Sequence, residues 1–439
     1  MQRDEIIQVL NEWNFWNREL KPTYKRESYE KQIKSLSKAG EILFIKGVRR
    51  SGKSTLLLNQ IKYLLESGVP KEEILFVNLE DPRFASNLSL QLLEDIKQAY
   101  LYYISPKNKP YIFLDEVQNI ENFEKWLLKE YELQTSYLFA TGSNSKLLSK
   151  EIGSALSGRY LDILVYPLSF KEFLLFKGVN ITNHFELITN NAMIEKLFAE
   201  YIEFGGFPKV VLSDDTQLKR QELKNYFDSI LLRDIVARYN LDNFRVLERL
   251  AIYLLSSFSN NISINKIKNH LKISYDMANR YFEYLQNSFI VDTITQFDWS
   301  YKKQLSSTKK TYSIDTGLIQ RVSFLVGKKQ GDFLENIVFL ELKRRYEQIY
   351  YYKTKQDYEV DFLVQQQNRI TTLIQVSWTI NDDKTFKREL RGLIKACNEL
   401  QIQNININLI VLTMDKTRQL NLDDKQINIK NVIEWLIFD

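Results

Sequence analysis

The segment ILFIKGVRRSGKST, residues 42–55, decides the fold of this chain. It contains the pattern GxxxxGK[ST] directly after an apolar run that predicts a buried strand. Gly47 and Gly52 allow the backbone to curl so that successive N–H groups face a phosphate, and the following LLLNQIKYLL predicts a helix that begins there. The segment therefore predicts a phosphate-binding loop made of Gly47, Val48, Arg49, Arg50, Ser51, Gly52, Lys53, Ser54 and Thr55.

Two side chains of this loop carry nucleotide chemistry. Lys53 would reach the β- and γ-phosphates of a nucleotide, and the Ser54 hydroxyl would hold Mg²⁺. The flanking strand and helix patterns distinguish this match from a chance occurrence in a loop. We therefore predict a site for a nucleotide and Mg²⁺.

A second apolar run, YIFLDEVQ at residues 111–118, ends in two adjacent acids and is typical of a Walker B strand. Asp115 would lie in the second coordination sphere of Mg²⁺, and Glu116 would orient and deprotonate the attacking water. A buried strand that ends in a solvated acidic turn is common by itself. After a phosphate-binding loop in the same domain, the pair favours hydrolysis of the nucleotide.

A third strand pattern, SYLFATGSN at residues 136–144, ends in polar side chains. A polar residue beside the Walker B strand would touch the γ-phosphate or the water, in the position called sensor 1, and we predict this role for Asn144. The alternative is that Asn144 or Ser143 caps the helix that follows.

The composition limits the class of protein. The chain has 439 residues, of which 44% are apolar, enough for two or three cores. Its single cysteine excludes an internal disulfide and its two histidines leave no zinc set, so we expect a reducing, cytoplasmic environment. The first residues carry charge from position 3 without an apolar signal-like run, and no apolar run reaches the ~20 residues of a membrane span, so we expect a chain that is neither secreted nor membrane-spanning. A net charge of +5 permits nucleic acid as a partner without requiring it.

Strand and helix patterns alternate between residues 41 and 165, with strands at EILFIK, ILFVNL, YIFLD, SYLFAT and LDILVY. Such alternation predicts crossover units in the α/β class, with a parallel sheet covered by helices on both faces. Residues 4–38 precede it as two amphipathic helices separated by Lys21-Pro22.

The chain between 246 and 315 reads as three short helices followed by a β-hairpin, the pattern of a winged helix. Residues 262–312 contain eight Lys or Arg and four Asp or Glu, a local excess of four positive charges. The segment is therefore a candidate for DNA contact. The alternative is a packing module that bridges domains.

The order of motifs GVRRSGKST, FLDEVQ, TGSN, LSGRY, YPLSFKEF, LLRDIV, winged helix, FLENIVFLEL and EVDFLV resembles a large prokaryotic family of AAA+-like P-loop ATPases. That family has an AAA_14 core and a C-terminal DUF4143 region. The resemblance implies binding and hydrolysis of ATP with Mg²⁺. It also implies that Arg159 senses phosphate and that Arg233 is a finger reaching a neighbouring subunit of a homo-oligomer. Either arginine could equally belong to a structural ion pair.

The C-terminal third resembles the core of PD-(D/E)xK nucleases, in which carboxylates hold Mg²⁺ and a lysine steadies the developing charge. Glu335 and Asp361 match that pattern, whereas Gln375 and Ser377 stand where the family has a Glu and a Lys. Lys384 or Lys387 on the next helix could replace the lysine. The pattern favours a degenerate site in a fold kept for structure or binding, and an active DNA nuclease is the alternative.

Taken together, the motifs predict five segments. Residues 1–38 form N-terminal helices, 39–168 the AAA+-like ATPase core, 169–245 a helical region, 246–315 the winged helix, and 316–439 a DUF4143 domain with a small restriction-endonuclease-like α/β fold. Two functions fit them. The first is an ATPase that couples nucleotide state to DNA or to a protein partner, and the second is a nucleotide-dependent switch that binds no DNA.

Overall fold

The computed structural model describes residues 1–20, 23–143, 153, 155–323, 330–381, 383–400 and 407–439. They form two compact units. Unit 1 comprises Met1–Val165 with Asn287–Phe289, and unit 2 comprises Tyr166–Gln286 with Ile290–Asp439. No helix among the described residues is both long and apolar enough to cross a membrane. The five-segment division is finer than these two units and stays a prediction.

Unit 1 is built on a parallel sheet with the strand order β2-β3-β4-β1-β5. Its strands are β1 (Ile42–Gly47), β2 (Ile74–Asn78), β3 (Tyr111–Asp115), β4 (Tyr137–Gly142) and β5 (Tyr160–Val165). Its described helices include α1 (Arg3–Trp13), α2 (Glu27–Leu36), α3 (Lys53–Glu66), α4 (Leu90–Tyr103) and α5 (Phe123–Glu132). The parallel α/β sheet predicted from the alternating pattern is confirmed.

Helices cover both faces of this sheet, which explains why its strands are almost continuously apolar. Side chains alternate along each strand, so Phe44 packs in one cluster with α1, α4 and α5, whereas Leu43 and Ile45 pack in another with α2 and α3. The polar residues that end the strands are therefore set apart from the core, at the carboxyl edge of the sheet.

The exposed edge of β2 is closed by side chains that precede the first strand. The fully buried Asn14 amide donates to the Phe76 carbonyl at 2.8 Å and accepts from the Phe76 N–H at 2.7 Å. The Trp16 indole N–H donates to the Ile74 carbonyl at 3.1 Å. One amide thus imitates the pairing of a further strand and satisfies an edge that would otherwise invite association.

Unit 2 begins with helices that lead into a small antiparallel sheet of order β6-β8-β7. Its helices up to that sheet are α6 (Phe170–Phe176), α7 (His184–Thr189), α8 (Asn191–Phe204), α9 (Pro208–Val211), α10 (Thr216–Ser229, continued by π-helical Ile230–Val236 and by Ala237–Tyr239), α11 (Phe244–Ser256), α12 (Ile264–Leu271), α13 (Tyr275–Asn287) and α14 (Tyr301–Ser306). The strands are β6 (Asn260–Ile262), β7 (Val291–Thr295) and β8 (Lys309–Ser313).

A mixed sheet of order β13-β14-β12-β11-β10-β9 forms the C-terminal part of unit 2. The remaining elements are α15 (Thr316–Val322), α16 (Gln330–Arg345), β9 (Gln348–Lys353), β10 (Glu359–Gln366), β11 (Arg369–Val376), α17 (Asp383–Leu400), β12 (Asn408–Thr413), β13 (Arg418–Leu422), β14 (Lys425–Asn431) and α18 (Val432–Phe438). Helix α17 packs on this sheet through Leu390, Leu393 and Ile394. A parallel bridge from Gln296 to Tyr351 connects the end of β7 to β9.

We expect Asn14→Ala to destabilise unit 1 by about 2–4 kcal/mol, because it leaves a buried N–H and a buried carbonyl of Phe76 without partners. The loss should appear as a lower melting temperature and as faster hydrogen exchange in the β2 peptide. Asn17→Ala, at an exposed position nearby, is the control and should change neither measurement. Equal effects from the two variants would contradict the role of Asn14 at the sheet edge.

Candidate nucleotide-binding site

The loop after β1 is shaped by two glycines that no other residue could replace without strain. Gly47 has φ 151°, and a Cβ there would stand 2.2 Å from the Val165 carbonyl oxygen of β5. Gly52 has φ 99° and immediately precedes the first residue of α3. The loop between them is therefore held tightly against the sheet, with the α3 N-terminus and its unpaired N–H groups at the same edge.

Lys53 and Glu116 meet inside this edge. The Lys53 ammonium lies 3.4 Å from a Glu116 carboxylate oxygen and 3.3 Å from the Val48 carbonyl oxygen. Lys53 is only 3% exposed and Glu116 only 7%. The lysine of the phosphate-binding loop and the second acid of the Walker B strand are thus brought together, as the sequence predicts for a nucleotide site.

A hydroxyl of β4 fixes the two acids of β3. Thr141 Oγ1 donates to Asp115 Oδ1 at 2.5 Å and accepts from the Glu116 N–H at 2.9 Å. The Ser54 hydroxyl also hydrogen-bonds to the Asp115 carboxylate. Glu116 itself adopts the left-handed conformation, with φ 56° and ψ 49°, which turns the chain sharply at the end of the strand.

The pKa values of the neighbouring acids Asp115 and Glu116 are shifted in opposite directions. Burial, followed by the charge of Glu116, raises the pKa of Asp115 to about 6. Burial also acts to raise the pKa of Glu116, but the positive charge of Lys53 and a hydrogen bond from Gln118 outweigh it, so this pKa lies below its ordinary value. Glu116 is therefore ionised at neutral pH, as a proton acceptor must be.

The residues fit a bound nucleotide and Mg²⁺. The Ser51 hydroxyl oxygen in the loop is fully buried and has no hydrogen-bond partner, so a polar group of a ligand would satisfy it. Ser54 and Asp115 are the residues that would hold Mg²⁺: the Ser54 hydroxyl as a direct oxygen ligand, and the Asp115 carboxylate, hydrogen-bonded to Ser54, from the second coordination sphere.

Two polar residues of the site, Gln118 and Arg26, were not singled out from the sequence. Gln118 donates to both Glu116 and Ser143, to the latter at 3.2 Å, and so ties the end of β3 to the end of β4. The buried Arg26, which precedes α2, donates to the Ser51 carbonyl at 3.0 Å. The position of Gln118, two residues after Glu116, was the available signal in the sequence that it belongs to the site. Arg26 lies 25 residues before its partner Ser51, and the sequence pattern gives no sign of this contact.

The predicted sensing residues lie elsewhere or beyond the described structure. Asn144 is outside the described residues, so its sensor role stays a prediction. Arg159 immediately precedes β5 and its carbonyl accepts from the Ile42 N–H, at the opposite end of β1 from Gly47. That end is roughly 16 Å from the loop at ~3.3 Å per strand residue. The Arg159 side chain pairs with Glu132 at 3.4 Å, so the fold does not bring it to the phosphate-binding loop of the same chain.

Arg233 belongs to unit 2, where it is exposed on the π-helical segment Ile230–Val236. Its role as a finger stays a prediction. The residues predicted for a degenerate nuclease site, two acids and one amide, do come together in unit 2. Glu335 on α16 and Asp361 on β10 contact the same lysine, Gln375 lies on β11 beside β10, and each is at most 8% exposed. Among the described residues, no group of three or more His, Cys, Asp or Glu side chains is arranged to hold a metal ion.

The strand order and the meeting of Lys53, Glu116 and Asp115 define a P-loop nucleotide-binding protein. Three family models match the chain in succession. They are the AAA domain AAA_14 over residues 39–174, the domain of unknown function DUF8612 over 195–329, and the domain of unknown function DUF4143 over 330–432.

Two relatives span nearly the whole chain. The uncharacterized protein MJ1544 of Methanocaldococcus jannaschii is 37% identical over 404 residues, which cover 90% of this chain and 87% of MJ1544. An uncharacterized protein of Haemophilus influenzae is 32% identical over 425 residues, which cover 95% of this chain and 99% of that protein. The chain therefore belongs to the family of AAA+-like P-loop ATPases with an AAA_14 core and a C-terminal DUF4143 region.

Two solved structures were also found to be similar. The Walker-type ATPase PABY2304 of Pyrococcus abyssi is 14% identical, with a TM-score of 0.44 over 69% of this chain and 99% of that chain. AMPPCP-bound DnaA from Aquifex aeolicus is 16% identical, with a TM-score of 0.27 over 63% of this chain and 92% of that chain.

Glu116→Gln and Lys53→Ala should separate hydrolysis from binding. We expect Glu116→Gln to bind ATP but to hydrolyse it at least about 100-fold more slowly, because an amide cannot accept the proton of water. Lys53→Ala should weaken ATP binding itself. Equilibrium binding of a fluorescent ATP analogue and phosphate release measure the two effects. Wild-type turnover by Glu116→Gln would show that another acid is the base.

Mg²⁺-dependent binding of ATP should weaken as the pH falls from 7.5 to 5. With an Asp115 pKa of about 6, about a tenth of this carboxyl is ionised at pH 5, so we expect a loss of roughly tenfold. The nucleotide itself also takes up protons over this range, and the Asp115→Asn variant corrects for that effect. Mg²⁺-dependent ATP binding by this variant should weaken less between pH 7.5 and 5. Parallel pH curves for the variant and the wild type would exclude Asp115 from the metal site.

Proposed function

We propose that the protein hydrolyses ATP with Mg²⁺ at this site. The observation that carries the proposal is the meeting of the buried Lys53 with Glu116, at 3.4 Å, beside the Asp115 carboxylate held by Thr141 and Ser54. These residues supply a positive charge for the phosphates, a proton acceptor and oxygen ligands within one edge of the sheet. That set is what phosphoryl transfer to water requires.

The chain's own residues divide the work as follows. Lys53 neutralises charge on the β- and γ-phosphates, while the N–H groups at the start of α3 bind phosphate oxygens. Glu116 takes the proton of the attacking water, and Gln118 holds its carboxylate in position. Mg²⁺, when bound by Ser54 and Asp115, supplies further neutralisation of the phosphates.

The arginines are proposed to act between subunits. Arg159 stands away from the phosphate-binding loop of its own subunit, and its side chain, paired with Glu132, is 40% exposed. Arg233 is exposed as well. An arginine in either position fits a role toward a neighbouring subunit of a homo-oligomer better than a role in its own site.

We further propose that α11–α13 with β6–β8 are a winged helix that contacts DNA. Its exposed positive side chains support this, because they lie on α12, on α13 and in the connection between β7 and β8: Lys266, Lys268, Lys272, Arg280, Lys302 and Lys303. In the same connection Trp299 is 61% exposed and Tyr301 is 72% exposed. Exposed aromatic rings among lysines suit contact with nucleic acid.

DNA should therefore raise the rate of ATP hydrolysis severalfold, with a steep loss at higher salt. The quadruple variant Lys266→Glu, Lys268→Glu, Lys302→Glu and Lys303→Glu should keep the basal rate and lose the stimulation. In a control variant, the charges of two exposed lysines on α6 and α8 are reversed by Lys171→Glu and Lys196→Glu. This control should keep both the basal rate and the stimulation by DNA. Absence of any DNA effect on the wild type would favour a nucleotide-dependent switch that acts on a protein partner.

Assembly is tested by mixing subunits. If Arg233 serves a neighbouring site, doping the wild type with Arg233→Ala subunits should lower ATPase activity more than in proportion to the fraction added. Arg245→Ala, at another exposed position of unit 2, is the matched control and should dilute activity in proportion. A proportional loss with Arg233→Ala, combined with a monomeric mass in ATP, would remove the finger from the proposal.

A further inference from the structure

A lysine from the three-stranded sheet lies at the centre of the acids of the C-terminal sheet. The Lys310 ammonium is 2.9 Å from Glu335 Oε1, 2.9 Å from Glu359 Oε1 and 3.0 Å from Asp361 Oδ1. Lys310 is 3% exposed. All four residues belong to unit 2, and they come from three separate elements, β8, α16 and β10.

The alternation of β8 directs this side chain toward the acids. Lys310 lies on the central strand of the small sheet, paired with Asn261 of β6 and Ile294 of β7. Its neighbour Lys309 points to the opposite face, where its ammonium lies over the Phe282 ring. Tyr312, two positions along, shares the face of Lys310.

The hydrogen bonding of the ammonium is complete. A lysine has three N–H donors and no acceptor, and Lys310 meets three carboxylate oxygens, one on each acid. Glu335 Oε1 accepts in addition from the Tyr312 hydroxyl at 2.8 Å, and Asp361 Oδ2 accepts from the Val376 N–H at 2.9 Å. The acids are thus fixed around a cation that the chain itself provides.

The spacing of the cluster suits an ammonium and not Mg²⁺. Mg²⁺ binds oxygen at about 2.0–2.1 Å, whereas these oxygens lie 2.9–3.0 Å from the Lys310 nitrogen. A metal at this centre would require the ammonium to leave and the acids to move inward by roughly 0.9 Å. While the Lys310 ammonium occupies the centre, its own nitrogen and hydrogens block that contraction.

A second observation indicates that this place is built as a cation site. Gln375 is 7% exposed, lies on β11 beside β10, and its Oε1 has no hydrogen-bond partner. Its amide also bonds to Glu389, a further buried acid. A buried carbonyl oxygen without a partner, next to Asp361, is a ligand position that nothing in the described structure fills.

The acids of the cluster keep Lys310 in its charged form. Burial by itself would lower the pKa of Lys310, but the surrounding acidic groups, with Glu335 the strongest, raise it well above the usual value. The ammonium is therefore permanently charged within the physiological range. Removing it would leave several buried acids without their counter-ion, which is strongly unfavourable.

We propose that Lys310 is the resident cation of the Glu335, Glu359 and Asp361 cluster, and that this cluster is a joint between the two sheets of unit 2 in place of a metal centre. The proposal is independent of ATP hydrolysis. Asn261 Nδ2 of β6 donates to Glu359 Oε2 at 3.1 Å, so a second strand of the small sheet holds one of these acids. The sequence lacks the catalytic lysine of a nuclease after Gln375, and Lys310 takes the cation's place from another element.

The first test keeps Lys310 in place and asks whether the intact cluster binds a metal. In an Asp115→Asn background, which weakens the metal position beside the phosphate-binding loop, Mn²⁺ titrated by electron paramagnetic resonance should show no binding that depends on Asp361. The same protein with Mg²⁺ or Mn²⁺ should leave duplex and single-stranded DNA uncut. Mn²⁺ binding or DNA cleavage that disappears in Asp361→Asn would overturn the proposal.

The second test exposes the acids to a metal. Lys310→Ala in the same background should lower the melting temperature by on the order of 10 °C and should bind Mn²⁺ at least tenfold more tightly than the parent. Mn²⁺ should restore part of the lost melting temperature, because it binds only the folded state. Lys309→Ala is the matched control and should stay within about 2 °C of the parent without a Mn²⁺ effect.

Adding Asp361→Asn to Lys310→Ala should abolish the gained Mn²⁺ binding. If Lys310→Ala does not fold without metal, Lys310→Gln, which keeps hydrogen-bond donors, replaces it, and recovery of soluble protein by MnCl₂ during refolding becomes the measurement. A folded variant at position 310 with parental stability, or with no gain in Mn²⁺ affinity, would show that Lys310 is not the cation of this cluster.

Discussion

The Thr141 hydroxyl, which joins Asp115 to the backbone N–H of Glu116, is the contact on which the nucleotide site depends. It exists because β3 and β4 are parallel neighbours whose carboxyl ends meet at one edge of the sheet. The pairing of β4 with β1 brings Gly47 and the start of α3 to the same edge. Parallel order thus turns residues about 60 positions apart in sequence into one site.

Lys53 and Lys310 are both buried beside acids, and their surroundings differ in a way that fits different roles. Lys53 has one acid at 3.4 Å and one backbone carbonyl at 3.3 Å, which leaves its ammonium weakly held. Lys310 has three acids at 2.9–3.0 Å, one for each of its donors. A weakly held ammonium is available to a phosphate, whereas a saturated one is structural.

Side chains from before the first strand also support unit 1. Asn14 and Trp16 close the edge of β2, and Arg26 holds the carbonyl of Ser51 in the phosphate-binding loop. These contacts give the N-terminal helices a direct effect on the stability of the sheet and on the shape of the loop. They also explain why buried polar residues occur in a segment without catalytic motifs.

The sequence by itself determined the parallel sheet, the phosphate-binding loop and the Walker B acids, because their signals are local: apolar runs, glycines at fixed spacing and acids at a strand end. Only the tertiary structure decided which distant polar groups meet. Strand order, and the face of a strand that a side chain occupies, decide four such placements. They are the contact of Gln118 with Ser143, the contact of Arg26 with Ser51, the position of Arg159 at the start of β5, away from the phosphate-binding loop, and the position of Lys310 among three acids. Long-range pairing leaves no periodic trace in the chain, so a pattern of neighbours along the sequence cannot reveal it.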